Sequence, residues 1–168
     1  MLKFRADAGS NDGSSPEQRW RKVVIAMDGS EHAKYALKWY VSHIYRPDDR
    51  IILVHAIESR LARILTDDEK DESSKTDEEE RKRLKEKLDS YQQLLVDFKL
   101  MGEIKTVSDK SAGKAILKAV EELNADVLVT GSRGLGSIRR VLLGSVSEYL
   151  LHRVQIPVVI CRESSSEV

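Results

Sequence analysis

Val23-Val24-Ile25-Ala26-Met27-Asp28-Gly29-Ser30-Glu31 is the stretch whose reading decides the fold. Its first five residues are apolar without alternation. That pattern suits a strand buried on both faces, as in a parallel sheet, better than a half-exposed one. The next four are turn formers and a helix start, with Asp28 a candidate cap. Ala33, Ala36, Leu37, Tyr40, Val41 and Ile44 then recur at helical spacing on one face.

The same alternation continues outward from this stretch. Pro47-Asp48-Asp49 stops the first helix, and 51–57 is a second buried strand. Leu84, Leu88, Tyr91, Leu95 and Phe98 carry a helix to Gly102, followed by a short strand at 103–107. Ala115, Ile116, Ala119, Val120 and Leu123 line a further helix before a strand at 125–130. Residues 137–153 are read as helical, with a fresh start at Ser145, and 156–161 as the last strand. The order βαβαβαβαβ predicts an α/β fold, an open, mostly parallel, doubly wound five-stranded sheet with right-handed crossovers. Ligands of such sheets sit beyond the carboxyl ends of the strands, here 27–31, 55–60, 107–113 and 130–147.

Composition narrows the function classes. Of 168 residues, 28 are Lys or Arg and 28 Asp or Glu, a net charge of zero, which removes the electrostatic case for a nucleic-acid or anionic-membrane binder. Apolar runs of six or seven residues fall far short of the roughly 20 needed to span a bilayer. The first residues hold no signal-peptide core. A single cysteine, Cys161, excludes an intrachain disulfide, and His32, His43, His55 and His152 show no ligand spacing among themselves. A cytoplasmic protein is expected. Residues 1–19 read as a flexible tail, 20–162 as one domain and 163–168 as a second tail. Within the domain, 66–80 holds nine acidic and two basic residues and is expected to be a mobile acidic loop. Thr76 and Glu79 in it match a capping box, and the basic run 81–87 reads as a solvated helix face.

The fourth strand empties into Thr130-Gly131-Ser132-Arg133-Gly134-Leu135-Gly136-Ser137, and ten residues past Gly134 comes Gly144-Ser145-Val146-Ser147-Glu148. Glycines directly after a strand let the backbone approach a ligand closely. Ser145 and Glu148 form a second capping box, so Ser145 is expected to cap a helix whose free amides suit an anion. Arg139 and Arg140 lie between the glycine groups. No Lys follows the glycines as a P-loop requires, and Arg139 stands where a dinucleotide fingerprint needs its third glycine.

Gly131-x2-Gly134-x9-Gly144-Ser145 resembles the nucleotide-binding motif G-x2-G-x9-G-[ST] of the universal stress protein family. The likeness extends over roughly 20–162, taking in the Asp28 turn, Leu53-Val54-His55-Ala56, Ser111-Ala112-Gly113 and Ile156-Pro157-Val158-Val159-Ile160. The resemblance implies a Rossmann-like sheet of order 3-2-1-4-5, resembling the adenine nucleotide alpha hydrolases, with ATP as ligand and Mg²⁺ alongside it. It also implies a homodimer through the last strand, at Val158, Val159 and Ile160. By the same resemblance Ala26, Met27 and Asp28 border the adenosine and Ala56 meets adenine. Gly131 lies near the ribose, and Gly134, Gly144, Ser145 and Val146 near the phosphates. Ser132 and Ser147 are phosphate neighbours of lower weight, and Asp28 is the one candidate to reach Mg²⁺.

Simpler roles stand beside these. The glycines can serve only to shape turns, Asp28 to cap a helix, and His55 to be a hydrogen-bonded core histidine. Cys161 is expected to be inert, and Arg133 to sit exposed at the loop tip with no role. Asp28 is the only acidic residue placed to reach phosphates, so binding with slow hydrolysis at most is expected rather than enzymatic turnover. The functional expectation is a nucleotide-dependent stress-response switch. The alternative is a nucleotide-free dimeric interaction module.

Overall fold

The apolar run at the start of the domain forms β1 (Arg21–Ala26), with its last four residues fully buried. The computed structural model describes residues 20–66, 75–133 and 143–163. Along the chain follow α1 (Glu31–His43), β2 (Asp49–Ala56), α2 (Ser59–Thr66), α3 (Lys75–Asp97), β3 (Gly102–Val107), α4 (Ala112–Glu122), β4 (Val127–Gly131), α5 (Ser145–Leu151) and β5 (Val158–Cys161). The five strands form one sheet of order β3-β2-β1-β4-β5, every pairing parallel. Registers run Val24↔Ile52, Val24↔Leu128, Leu53↔Ile104 and Thr130↔Ile160. The α/β class, the doubly wound parallel sheet and its strand order match what the sequence implied.

Both faces of β1 and β2 are covered, which is why these strands read as continuous apolar runs. Val23, Ile25, Met27, Ile51 and Leu53 pack with α1 and α3, around Tyr40, Tyr91 and Leu95. Val24, Ala26, Ile52 and Val54 pack with α4 and Leu150 of α5. α3 closes with Lys99 in the left-handed region at φ 54°, and α4 with Asn124 at φ 48°. In both, the next amide folds back across the turn, Leu100 N to Leu95 O and Ala125 N to Val120 O, satisfying carbonyls the helix end leaves open.

Three expectations are corrected here. Residues 66–80 do not form one loop: Thr66 ends α2 and Lys75–Glu80 belong to α3. Thr76 therefore lies inside α3 rather than capping it. The helical reading of 137–153 holds only for Ser145–Leu151, because Leu143 and Gly144 are not helical and 137–142 lie outside the described residues. Both tails, apart from 163, and 67–74 also lie outside them. β5 stands at one edge of the sheet, beside β4.

Candidate functional site

The chain reverses direction across the sheet at β1, whose neighbours are β2 on one side and β4 on the other, so the ends of β1 and β4 open a crevice between the chain's two halves. At the end of β1, Ala26 and Met27 are buried, 7% and 2% exposed, and their side chains pack into the two opposite cores. Met27 donates its amide to Val54 O at 2.8 Å, and its carbonyl meets His55 Nδ1 at 2.7 Å. A carbonyl only accepts, so the neutral His55 ring carries its proton on Nδ1. Burial pushes His55 below its ordinary pKa and Lys87 adds to this, overcoming the Met27 hydrogen bond and Asp28, which act the other way. His55 is the hydrogen-bonded core histidine that its apolar strand implied.

The turn after β1 is held from three directions. Asp28 Oδ1 accepts the Ser30 amide at 2.8 Å, and Ser30 Oγ accepts the Ala33 amide at 3.2 Å. Ser30, not Asp28, is thus the cap of α1, and Asp28 braces the turn before it. Gly29 sits at φ 89°, a conformation that favours glycine. Lys87 of α3 brings Nζ to 3.5 Å from Asp28 O. The basic run 81–87 is therefore not only a solvated surface.

At the end of β4 the backbone is packed tightly. A Cβ on Gly131 would lie 2.8 Å from both the carbonyl carbon and oxygen of His32, so the start of α1 requires glycine there. Gly131 O accepts Ser147 Oγ at 2.7 Å. Ser132 donates its amide to Cys161 O at 2.8 Å and accepts the Gly144 amide on its carbonyl at 2.7 Å. The Ser132 side chain is buried, and its Oγ has no hydrogen-bond partner among the described residues. Arg133 is half-buried, and its Nε is likewise buried without a partner among them. This corrects the expectation of an exposed Arg133. Gly134, Arg139 and Arg140 lie outside the described residues.

Ser145 does not cap α5. Gly144 occupies the cap position in an extended conformation, makes no side-chain cap bond, and accepts the Glu148 amide on its carbonyl at 2.9 Å. Ser145 is the first helical residue, and Val146 is half-buried against the α4 core. Because the Gly144 amide already serves Ser132 O, Gly144 contributes close approach rather than a donor.

Ala56 ends β2 opposite Val107, and Ile57 donates to Val107 O at 2.8 Å. Ser59 Oγ reaches Asp109 O at 3.2 Å, tying the loops after β2 and β3. The described residues singled out from the sequence for the nucleotide thus fall on three adjacent strand ends and the start of α5. Reasoning from sequence missed His32, Lys87 and the burial of Arg133. Among the described residues no group of three or more His, Cys, Asp or Glu could hold a metal ion, and no helix is long and apolar enough to cross a membrane.

Residues 19–162 match the model of the universal stress protein family. The chain is 26% identical over 156 residues to universal stress protein PHOS32 of Arabidopsis thaliana, covering 84% of this chain and spanning 64% of that protein's length. Its fold is similar to that of hypothetical protein MJ0577, with a TM-score of 0.67 and 25% identity, over 88% of this chain and 99% of that one. It is also similar to a universal stress protein family protein from Arabidopsis thaliana, At3g01520, crystallised with AMP bound. There the TM-score is 0.62 and the identity 21%, over 88% and 94% of the two chains.

Proposed function

The chain belongs to the universal stress protein family, and on that premise we propose that it binds ATP and acts as a nucleotide-dependent stress-response or signalling switch. The observation that carries the proposal is the meeting of two turns at the crevice, the Asp28 turn after β1 and the Gly131–Ser132 stem after β4. They meet through Gly131 packed on His32, within the Gly131-x2-Gly134-x9-Gly144-Ser145 spacing. The AMP held by the Arabidopsis protein of the same fold supports an adenine nucleotide as the ligand class.

On this reading Ala26, Met27 and Asp28 border the nucleoside and Ala56 borders the base. Gly131 lies near the ribose, and Ser132, Gly134 and the Gly144–Ser147 stretch surround the phosphates. On this reading a magnesium ion arrives with the nucleotide. Asp28 would then be the one protein carboxylate beside it. With no second acidic group proposed at the phosphates, hydrolysis is slow at most and the protein is a binder. Pairing of the edge strand β5 with its copy, through Val158, Val159 and Ile160, would bury an otherwise open edge and make a homodimer.

Gly131 is demanded by His32 whatever binds nearby, so this one glycine is also compatible with the alternative of a nucleotide-free dimeric module. One experiment separates the two. Purified protein is denatured and the released small molecules are chromatographed. Bound ATP, with ADP in the minority, is the expected result. An empty protein that also fails to take up Mg-ATP in a calorimeter would leave the dimeric module.

A further inference from the structure

The register between β1 and β2 ends at Ala26↔Val54, and Met27 then donates its amide to Val54 O at 2.8 Å. Bonds in a parallel ladder repeat evenly, so the next one would run from the Ala56 amide to Met27 O. Among the described residues that bond is not made. His55 Nδ1 stands at the Met27 carbonyl instead, at 2.7 Å. β2 itself runs on, with Ala56 still opposite Val107 of β3. The pairing therefore breaks on the β1 side alone, at the crevice.

The ring that stands in this break is held in place. His55 is 7% exposed, and a buried imidazole N–H needs an acceptor, which Met27 O supplies. Tyr91 of α3 meets the ring edge-on, with centroids 5.6 Å apart and Oη 3.4 Å from Nδ1. Tyr91 is itself fully buried, so the imidazole has little freedom to turn away. Ala56 is half-buried, and its N–H points to the β1 side, where the ladder has stopped. An amide left unpaired at a strand end is a donor ready for a ligand.

We propose that His55 is a positioning residue: by occupying Met27 O it ends the pairing of β1 with β2 one bond early and leaves the Ala56 amide to hydrogen-bond the base of the nucleotide. This rests on the nucleotide reading, which puts Ala56 at the base. One side chain thus joins the two strand ends that border the nucleoside, Met27 after β1 and Ala56 at the end of β2. Without the imidazole, the Ala56 amide closes onto Met27 O and the base loses its donor.

The test takes two measurements on the wild type, His55→Asn and His55→Val: amide hydrogen exchange followed by NMR, and calorimetric titration with ATP. Asparagine keeps a donor nitrogen where Nδ1 stood. It should behave as the wild type does, with a fast-exchanging Ala56 amide beside a protected Ile57, whose amide bonds to Val107 O. Valine suits the strand but has no donor. There the Ala56 amide should exchange at least 10-fold more slowly, and ATP should bind roughly 10-fold more weakly. A merely structural histidine would not slow exchange at Ala56 when removed. Should His55→Val fail to fold, His55→Gln, whose amide sits one bond too far out, takes its place. A protected Ala56 amide in the free wild type overturns the proposal, as does equal loss of ATP affinity in His55→Asn and His55→Val. ATP binding by the wild type that His55→Val leaves unchanged overturns the proposal alone. No ATP uptake by the wild type overturns the nucleotide reading, and the proposal with it.

Discussion

Tyr40 Oη donates to Asp49 Oδ2 across 2.5 Å, at the amino-terminal end of the sheet and so opposite the crevice. The same carboxylate takes Arg21 Nε and Nη2, each at 2.6 Å, and the Arg46 amide at 2.9 Å, and its side chain is fully buried. Four donors on one carboxylate tie the starts of β1 and β2 to α1. Removing it strands a guanidinium and a phenol, so Asp49→Ala should cost about 3 kcal/mol of stability in urea unfolding, and Tyr40→Phe about 1 kcal/mol.

Burial pushes the Asp49 carboxyl up, but the hydrogen bonds from Arg21, Tyr40 and Arg46 outweigh it and hold the group below its ordinary value of 3.8. A depressed carboxyl stabilises the fold above the unfolded value, and that contribution is lost as pH falls through the folded one. Asp49→Asn should therefore show a flatter decline than the wild type in urea midpoints taken below pH 4. Parallel declines would rule this out.

His55 lies below its ordinary value of 6.5 because it is buried. Beneath pH 6.5 the unfolded chain takes up a proton there that the folded chain refuses, so stability falls as pH drops from 7 toward 5. Unfolding midpoints of His55→Asn, which keeps a donor for the Met27 carbonyl, should slope less over that range. An equal slope would show that other groups carry it.

Gly131→Ala and Gly113→Ala should differ in cost. The first drives a Cβ to 2.8 Å from the His32 backbone, which cannot move without moving α1, and should cost about 3 kcal/mol. The second meets Tyr149 Cδ1 at 2.7 Å and Cγ at 3.0 Å, side-chain atoms that yield only if Tyr149 shifts from its place beneath Arg153, for about 2 kcal/mol. Denaturation that ranks them the other way would sink the argument.

Burial raises the Cys161 thiol to about 11. At pH 8 a disulfide reagent should label it only as fast as the protein opens, and at once in denaturant. Prompt stoichiometric labelling of the native protein would contradict that.

Much of the fold could be read because β1 and β2 are covered on both faces and say so in unbroken apolar runs. α2 could not. Its hold on the molecule is non-local, through Arg60 to Asp77 and Glu80, each at 2.8 Å, and through Arg81 to the Ile64 carbonyl. No short-range pattern in Ser59–Thr66 announces those partners. The cap positions slipped for a related reason. Asp28 and Ser145 are good cap residues by type, but Ser30 and Gly144 are where the chain turns, and Gly144 is tied there by Ser132 across the sheet's end. Arg133 was misjudged because its residue type favours exposure, whereas the side chain is half-buried at the carboxyl end of β4.

The position of β1 between β2 and β4 has a consequence for synthesis. Its partners lie far apart along the chain: Lys22 bonds to Asp126, 104 residues on. A polypeptide leaving the ribosome can zip β1 to β2 early, but the other edge of Val23-Val24-Ile25 waits for Val127, Leu128 and Val129 to emerge. For most of translation, then, a central strand whose last four residues end up buried has an open side. That interval, rather than the finished molecule, is when the nascent chain most needs a chaperone.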